Sequence, residues 1–486
     1  MYVNDVDRIT GLLSTIGEAV NLGLADVQEA ERYLEDSVEA LGAIGEFLEE
    51  NAPECDRSLI CDTKKAMHEC LENRLFDERA LKRIQARLKK ARTMFLQQVD
   101  LRWRALFLPY KASMWTSLES IWKAAADDPR CDAIVMPIPY FELDDCLRAA
   151  FFRYEGNSFP SDVPITHYMC FSETQDFEMI FIHNPYDDVN TITRVPEAFF
   201  SRNLMKQTKC LVYSPYFTFG RHYPGKGDFQ FTAPGILNAT IILVQSVRVK
   251  RLFQQFGYPA NKMLVVGSPK VDAIVRMTDD CFSAPEEWVR KISGRTTFLL
   301  NTHLYYFHKS GMKGIGYHRD IIECLLERDN CAFIWRPHPL LKTLIRKASR
   351  QLSSAYRALE ELVSSSANGV IDTTADYRIA FSCSDAMIST YSSLINEYMV
   401  TGKPVMIFQR KPDKKAAQNF PLDYLGNYYR FGDESVTFEQ FIDMVVAGQD
   451  PLRARRREAV ETAFKNLDGT AGYEAYRAIV NQILPV

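Results

Sequence analysis

The chain has 486 residues, enough for two or three domains with cores of their own. Hydrophobic residues make up 47%, charged residues 25%, and the net charge is −4. This ordinary balance excludes a disordered, a collagen-like or a dedicated nucleic-acid-binding protein, so we expect no nucleic-acid partner.

Cysteine usage and the start of the chain bear on the compartment. The eleven cysteines are scattered, odd in number and without a CxxC pair, which favours reduced thiols over disulfides or structural zinc. The opening MYVNDVDRIT is acidic and lacks a sustained apolar core, and no apolar run long enough to span a membrane follows. The sequence predicts a cytoplasmic protein.

Residues 1–100 are predicted to form an all-helical region, either a helical hairpin or a coiled coil. Their only proline is Pro53, and leucine, alanine and glutamate recur at helical spacing. The pattern predicts three helices, near Val3 to Leu22, Asp26 to Glu50 and Leu59 to Val99.

The third predicted helix carries a basic stretch that suggests two kinds of partner. Its cationic residues are Lys82, Arg83, Arg87, Lys89, Lys90 and Arg92. They suit contact with the inner membrane surface by a peripheral protein. The alternative is a solvated face of a hairpin or of a coiled-coil homo-oligomer, which we favour because acidic residues elsewhere in the region dilute the charge.

From Ala105 onward, short apolar strands alternate with helices. This pattern is typical of a parallel sheet that helices cover on both faces. The first series of predicted strands is Ala105–Leu108, Ala133–Ile138, Met179–Ile182, Cys210–Tyr213, Ile241–Val244 and Met263–Val266. The second series is Thr297–Leu300, Ala332–Trp335, Gly369–Ile371, Ala386–Ser389 and Val405–Phe408. We expect an α/β fold.

The two series divide the chain into predicted domains. Residues 101–277 form the first α/β domain and residues 278–470 the second. Residues 471–486 contain a last amphipathic helix that is positioned to cross back and brace the first domain.

Ligands bind outside the carboxyl ends of strands in open α/β sheets, so polar residues just after strands are the candidates for function. His183 follows the strand Met179–Ile182 and could take a proton from an attacking hydroxyl, with Asp187 or Asp188 orienting its ring. A lone histidine at a strand end is more often structural. A second histidine at the matching edge of the other domain favours a cleft.

That second histidine is His338, in the segment Arg336-Pro337-His338-Pro339 after the strand Ala332–Trp335. The prolines restrict the local backbone. A fixed imidazole beside Arg336 suits phosphate binding or proton delivery to a leaving phosphate. The alternative is a rigid loop with a surface histidine.

The segment Phe381–Phe408 predicts a strand, a helix from Leu394 to Val400, and a second strand. Ser392 and Ser393 stand at the helix start, where unpaired N–H groups favour an anion, and Glu397 lies one turn further. Phosphate at the serines and a sugar hydroxyl at the glutamate would fit. The alternative is a serine cap followed by a solvated glutamate.

We expect no metal and no cofactor. His303, His308 and His318 lack the helical pairing of metal ligands. The glycines Gly311, Gly314 and Gly316 lack the strand-turn-helix setting of a dinucleotide or phosphate loop.

These segments resemble the CDP-glycerol glycerophosphotransferase family, the teichoic-acid-type polyol-phosphate transferases. In the second half the resemblance is carried by SDAMISTYSSLINEYMVTGKPVMIF, WRPHP, VVGSPKVDAI and DGTAGYEAYRAI. In the first half it is carried by FLPYKASMWTSLESIWKAA, PIPYFELD, FIHNPYDD and LVYSPYF. Together they extend over roughly residues 105–483, beyond the helical N-terminal region.

The resemblance implies a GT-B architecture, two Rossmann-like domains facing a cleft, with the second holding a CDP-activated polyol donor. Attack by a hydroxyl of a glycan or lipid-linked acceptor on the phosphorus nearer the polyol would release CMP. Ser392 and Ser393 would hold donor phosphate, and Glu397 the ribose. His338 would contact the phosphate under attack and His183 the acceptor hydroxyl.

Two positions depart from the family pattern. Thr390 stands before Tyr-Ser-Ser where members often have Asp, and His183 is followed by Asn where many members have Gly. We count Thr390 and Arg336 among the donor-binding residues. Two alternative functions remain, a nucleotide-sugar glycosyltransferase or epimerase using the same cleft and a non-catalytic nucleotide-binding scaffold.

Overall fold

The computed structural model describes residues 1–25, 29–74, 76–219, 229–277, 284–304, 306–346, 348–374, 376–408, 428–431 and 436–483. The predicted start of the second helix at Asp26 and the predicted domain boundary at residue 278 lie outside these ranges.

Four helices precede the first strand, where the sequence predicted three. They are α1 (Val3–Ala25), α2 (Ala30–Asn51), α3 (Ser58–Glu72) and α4 (Glu78–Gln98). The third predicted helix is divided because Arg74 adopts a positive φ of 51° and Asp77 caps a new helix, accepting a hydrogen bond from the Ala80 N–H (2.7 Å). The helices share one apolar core, so the region is a bundle.

The first half of the α/β region contains nine strands. They are β1 (Trp103–Leu108), β2 (Cys131–Val135), β3 (Tyr140–Leu143), β4 (Ala149–Arg153), β5 (Met179–Ile182), β6 (Thr193–Arg194), β7 (Leu211–Tyr213), β8 (Ile241–Val244) and β9 (Met263–Val265). Six form one parallel sheet in the order β2-β1-β5-β7-β8-β9. All six predicted strands of this half are present.

The sequence did not predict the antiparallel sheet β4-β3-β6 between the parallel strands. Every residue of β4 is exposed, so the apolar run Ala149–Phe152 carries no alternation from which a half-buried strand could be recognised.

The second half contains a six-stranded parallel sheet in the order β12-β11-β10-β13-β14-β15. Its strands are β10 (Thr296–Thr302), β11 (Cys331–Pro337), β12 (Gly369–Ile371), β13 (Ala386–Ser389), β14 (Val405–Phe408) and β15 (Tyr429–Phe431). Their apolar residues pack between two layers of helices, as near-continuous hydrophobic strands require. The predicted α/β fold with a preceding helical region is confirmed.

The helices from residue 116 onward cover the two sheets. They are α5 (Thr116–Ala126), α6 (Ser201–Leu204), α7 (Phe229–Thr232), α8 (Pro234–Asn238), α9 (Val247–Gln255), α10 (Pro269–Val275), α11 (Glu286–Ile292), α12 (Tyr306–Leu326), α13 (Leu341–Arg346), α14 (Arg350–Ser365), α15 (Arg378–Ser382), α16 (Leu394–Met399), α17 (Phe438–Val446), α18 (Arg453–Ala463) and α19 (Ala471–Ile483). None of the helices in the described ranges combines the length and apolar character that crossing a bilayer requires.

The last helix, α19, packs against α5 of the first half. The carboxylate of Asp272 accepts hydrogen bonds from the N–H groups of Ala471 and Gly472 (3.1 and 2.7 Å), which holds the start of the helix. Gly472 is required there, because a Cβ would lie 2.2 Å from Ser120 Oγ. Helix α19 therefore lies on the half that contains the first sheet.

Candidate active site between the two halves

Residues that follow strands of the two sheets meet between the halves. Lys270 follows β9 and reaches Glu397 of α16, with 3.1 Å between Nζ and Oε1. Lys111 follows β1 and His338 follows β11. The two lie near enough for the charge of Lys111 to lower the pKa of the His338 imidazole. The carboxyl ends of both sheets thus face one cleft, the position where open α/β sheets bind ligands.

Ser392 and Ser393 lie at the start of α16, as predicted. Ser392 is half-buried and Ser393 exposed. Asn301 at the end of β10 donates through Nδ2 to Ser389 Oγ (2.8 Å) and to Ser392 Oγ (2.9 Å). The turn before α16 is therefore held by a side chain of the neighbouring strand. Phosphate binding by the two serines remains a prediction.

Glu397 is fully buried, whereas the sequence allowed a solvated carboxylate. Helix α10 of the first half covers it, and the Lys270 ammonium neutralises it. Burial raises the Glu397 pKa, and the charge of Lys270 and the Tyr377 hydroxyl counteract part of that rise. A ribose at Glu397 would have to share it with Lys270, and this role stays a prediction.

His338 presents a hydrogen-bond donor to the cleft. Its Nδ1 accepts from the Leu340 N–H (3.2 Å), so the neutral ring carries its proton on Nε2. Burial lowers the His338 pKa to about 4, with further lowering by the charges of His303, Lys111 and Arg336. A neutral imidazole with a free Nε2–H suits a phosphate oxygen better than it suits proton abstraction at neutral pH.

Arg336 and Thr390 are both engaged with protein groups, and donor binding by either residue stays a prediction. Arg336 is buried, and its Nη1 pairs with Asp372 and donates to the Thr374 carbonyl (3.2 Å). Thr390 is 1% exposed, and its Oγ1 accepts from the His303 N–H (2.6 Å). Both residues shape the cleft from within the protein.

His183 is fully buried and both of its ring nitrogens are engaged. Nε2 accepts from the Tyr110 N–H (3.0 Å), so Nδ1 carries the proton, 3.0 Å from Ser117 Oγ and 3.3 Å from the Met114 carbonyl. Burial lowers the His183 pKa to about 3. Proton abstraction by His183 would require the Tyr110 contact to break, and its catalytic role stays a prediction.

The prediction that Asp187 or Asp188 orients the ring of His183 is wrong, because both carboxylates contact other residues. Asp187 is buried and accepts from the Ser201 N–H (3.0 Å) and the Ser201 hydroxyl (2.6 Å). Asp188 lies 3.4 Å from Arg202. The ring of His183 is held by Tyr110, Ser117 and Met114 instead.

Sequence reasoning missed three residues of the cleft. His303 follows β10 directly, and its ring centroid lies 6.4 Å from that of His338. Asn301 is the next-to-last residue of the same strand, and Lys270 follows β9. The rule that polar residues after strands carry function would have selected all three.

Among the residues described, no group of three or more His, Cys, Asp and Glu is arranged to hold a metal ion. The side chains around His338 are cationic or neutral donors, which suit an anionic ligand. Independence from metal and cofactor remains a prediction.

Comparison with solved structures shows the fold. A Listeria monocytogenes protein described as a UDP-N-acetylglucosamine 2-epimerase matches with a TM-score of 0.52 at 12% identity, over 78% of this chain and 96% of that one. S. aureus MnaA with UDP matches with a TM-score of 0.51 at 12% identity, over 78% and 95%. The wall teichoic acid polymerase TagF matches with a TM-score of 0.48 at 13% identity, over 87% and 98%. The two matches with TM-scores above 0.5, together with the two parallel sheets, confirm the predicted GT-B architecture.

Sequence comparison identifies the family. No curated protein matches significantly. The family described as CDP-glycerol:poly(glycerophosphate) glycerophosphotransferase matches residues 237–481, half of the chain, and this span includes α10, Asn301, His338 and α16. The protein is therefore a member of the CDP-glycerol:poly(glycerophosphate) glycerophosphotransferase family of enzymes.

Proposed function

We propose that this enzyme transfers glycerol phosphate, or a related polyol phosphate, from a CDP-activated donor to a hydroxyl of a glycan or lipid-linked acceptor, releasing CMP. The observation that carries the proposal is the convergence of His303 and His338 with Lys111 in one cleft of a chain of this family. Such a group of cations and donors matches a phosphate ligand.

The donor lies against the second half. Ser392 and Ser393 bind its phosphates at the start of α16, and Glu397 accepts a ribose hydroxyl beside Lys270. The His338 Nε2–H donates to the phosphoryl group under attack. Catalysis then consists mainly of positioning and of neutralising phosphate charge.

In the reaction, the acceptor oxygen forms a bond to the phosphorus nearer the polyol. The bond from that phosphorus to the bridging oxygen breaks, and CMP leaves with the electron pair. The hydroxyl proton goes to a base in the cleft and then to solvent. The resemblance to the family assigns that base to His183, which requires release of its Nε2 from Tyr110.

We further propose that the enzyme acts at the cytoplasmic face of the membrane, where a lipid-linked acceptor would be presented. The basic residues of α4 are the candidate contact with anionic lipid. Vesicle flotation with and without anionic lipid tests this part by itself, and equal recovery on both vesicles would contradict it.

Direct turnover measurements test the main proposal. Purified protein is incubated with CDP-glycerol, CDP-ribitol or UDP-N-acetylglucosamine and with glycan acceptors, and CMP is quantified by chromatography. We expect acceptor-dependent CMP release from a CDP-polyol and thermal stabilisation by the same donor. Turnover of the UDP-sugar without CMP release would assign the chain to nucleotide-sugar chemistry. Donor binding without any turnover would favour the scaffold.

A further inference from the structure

Lys111 is a half-buried cation beside the candidate active site, and it has no role in the mechanism proposed above. It follows β1 and lies between two tyrosines, with Nζ 5.5 Å from the Tyr110 ring centroid and 4.8 Å from that of Tyr140. The two rings hold the ammonium by cation–π contact. The N–H of Tyr110 also donates to His183 Nε2, which fixes the backbone next to Lys111.

The acidic residues nearest to Lys111 are engaged elsewhere. Glu155 accepts from the Tyr140 hydroxyl (2.6 Å) and from the Ala112 N–H (2.9 Å). Glu142 pairs with Arg153 at 2.9 Å. Within the described ranges, no carboxylate forms an ion pair with Lys111 and no acceptor binds its Nζ. Burial lowers the Lys111 pKa, and the charges of Glu155 and Glu142 counteract part of that lowering.

The groups that Lys111 faces across the cleft are basic as well. Its charge, with those of His303 and Arg336, lowers the pKa of His338. The two imidazoles are uncharged at neutral pH, because the pKa values of His303 and His338 are both lowered, and Arg336 is paired with Asp372. Lys111 is therefore a cation of this group with no ion-pair partner in the described part of the chain, and a phosphate bound between it and the His338 donor would supply one.

We propose that Lys111 Nζ binds the non-bridging oxygens of the phosphoryl group that is transferred, from the side opposite His338. This assignment rests on the proposed function and adds a catalytic residue from the first half. In phosphoryl transfer, charge spreads over the equatorial oxygens of the transition state. An ammonium already desolvated and held between two rings stabilises that charge without reorganisation.

The substitution Lys111→Met tests the proposal with both a kinetic and a stability readout. We expect kcat for CMP release to fall by about 100-fold or more, as for loss of one preorganised donor. The melting temperature should stay equal or rise, because methionine keeps the apolar stem and removes a buried unpaired charge. Lys209→Met is the matched control, since Lys209 is 71% exposed on the same half, and it should behave as wild type.

A pH profile separates a direct role from a structural one. The wild-type rate should fall at alkaline pH as Lys111 loses its proton, and Lys111→Arg should shift that limb upward because arginine stays charged. Burial raises the pKa of both Tyr110 and Tyr140, so the rings do not titrate in the same range. A limb that does not move in Lys111→Arg would overturn the proposal, as would a kcat within threefold of wild type in Lys111→Met.

Calorimetric titration with inorganic pyrophosphate distinguishes this proposal from the function on which it rests. We expect at least tenfold weaker binding to Lys111→Met than to wild type, with no change in Lys209→Met. If CMP is never released but pyrophosphate binding depends on Lys111, the proposed reaction fails and the anion contact stands. If CMP is released and neither rate nor binding depends on Lys111, the contact fails and the reaction stands.

Discussion

At the scale of the residue, His338 is a neutral donor: Leu340 holds its Nδ1, and no acceptor for its Nε2–H is present among the residues that the structure describes. His338→Ala should lower kcat for CMP release by about 100-fold, as expected for loss of one donor to the reacting phosphate. The melting temperature should change little, because the ring is only half-buried. Because the His338 pKa is lowered to about 4, kcat/KM in the free enzyme should show no histidine limb near pH 6.5. A limb at that pH that disappears in His338→Ala would contradict the neutral-donor assignment.

His183 differs from His338 because it is buried and bonded on both nitrogens. In His183→Asn the melting temperature should fall, since the Tyr110 N–H loses its acceptor at a cost of about 1–3 kcal/mol. The His183 pKa is lowered from 6.5 to about 3, so below pH 6.5 the unfolded state binds the extra proton and the native state loses stability.

The stability advantage of wild type over His183→Asn should therefore shrink by about 1.4 kcal/mol per pH unit between pH 6.5 and 4. Denaturant unfolding at several pH values measures this difference. A variant that keeps the wild-type melting temperature and loses turnover would instead establish His183 as the base.

At the scale of the element, α16 depends on β10 for its position. The sequence predicted the strand, turn and helix from local pattern, and predicted Ser392 and Ser393 at the helix start. Asn301 lies about ninety residues earlier in the chain, so no local pattern could relate it to Ser392. Parallel pairing of β10 with β13 brings the two together.

Asn301→Ala should raise KM for the donor by about tenfold and cost about 1–3 kcal/mol of stability, because the Ser389 and Ser392 hydroxyls lose their shared donor. Ser392→Ala should raise KM similarly. The double variant should be no worse than the more affected single variant, since both changes disrupt one contact. Additive losses in a double-mutant cycle would show that Asn301 and Ser392 act separately.

At the scale of the whole molecule, the two halves are joined by buried polar contacts. Lys270 pairs with Glu397, and Arg378 Nη1 donates to Glu119 Oε2 (2.8 Å). Lys270→Met leaves Glu397 buried without its cation and should destabilise the protein by about 3–5 kcal/mol at pH 8.

The loss in Lys270→Met should be smaller at pH 5. Removing the cation raises the pKa of Glu397 further, so at lower pH the carboxyl binds a proton and is less costly to bury. Adding Glu397→Gln should recover most of the stability at pH 8. A loss that does not depend on pH, or no recovery in the double variant, would mean that packing and not charge explains the effect.

Strands, helices and strand-end polar residues were readable from the sequence because hydrophobic periodicity and turn residues are local properties. Eleven predicted strands lie in the two parallel sheets, and His338 and Ser392 stand where they were expected. Local pattern failed at β4, which is exposed, and at the break between α3 and α4, where a single capping aspartate interrupts a continuous helical pattern.

The sequence by itself determined the α/β class, the place of the polar residues at the strand ends and the family resemblance, since these depend on neighbours along the chain. Only the tertiary structure decided which of those residues have free groups. Arg336 pairs with Asp372, Thr390 accepts a hydrogen bond from His303, and His183 accepts one from Tyr110. Lys111 and the Nε2 of His338 face the cleft instead. Whether a buried polar atom is available to a ligand depends on partners from other strands and from the other half, and these contacts exist only after the sheets have formed.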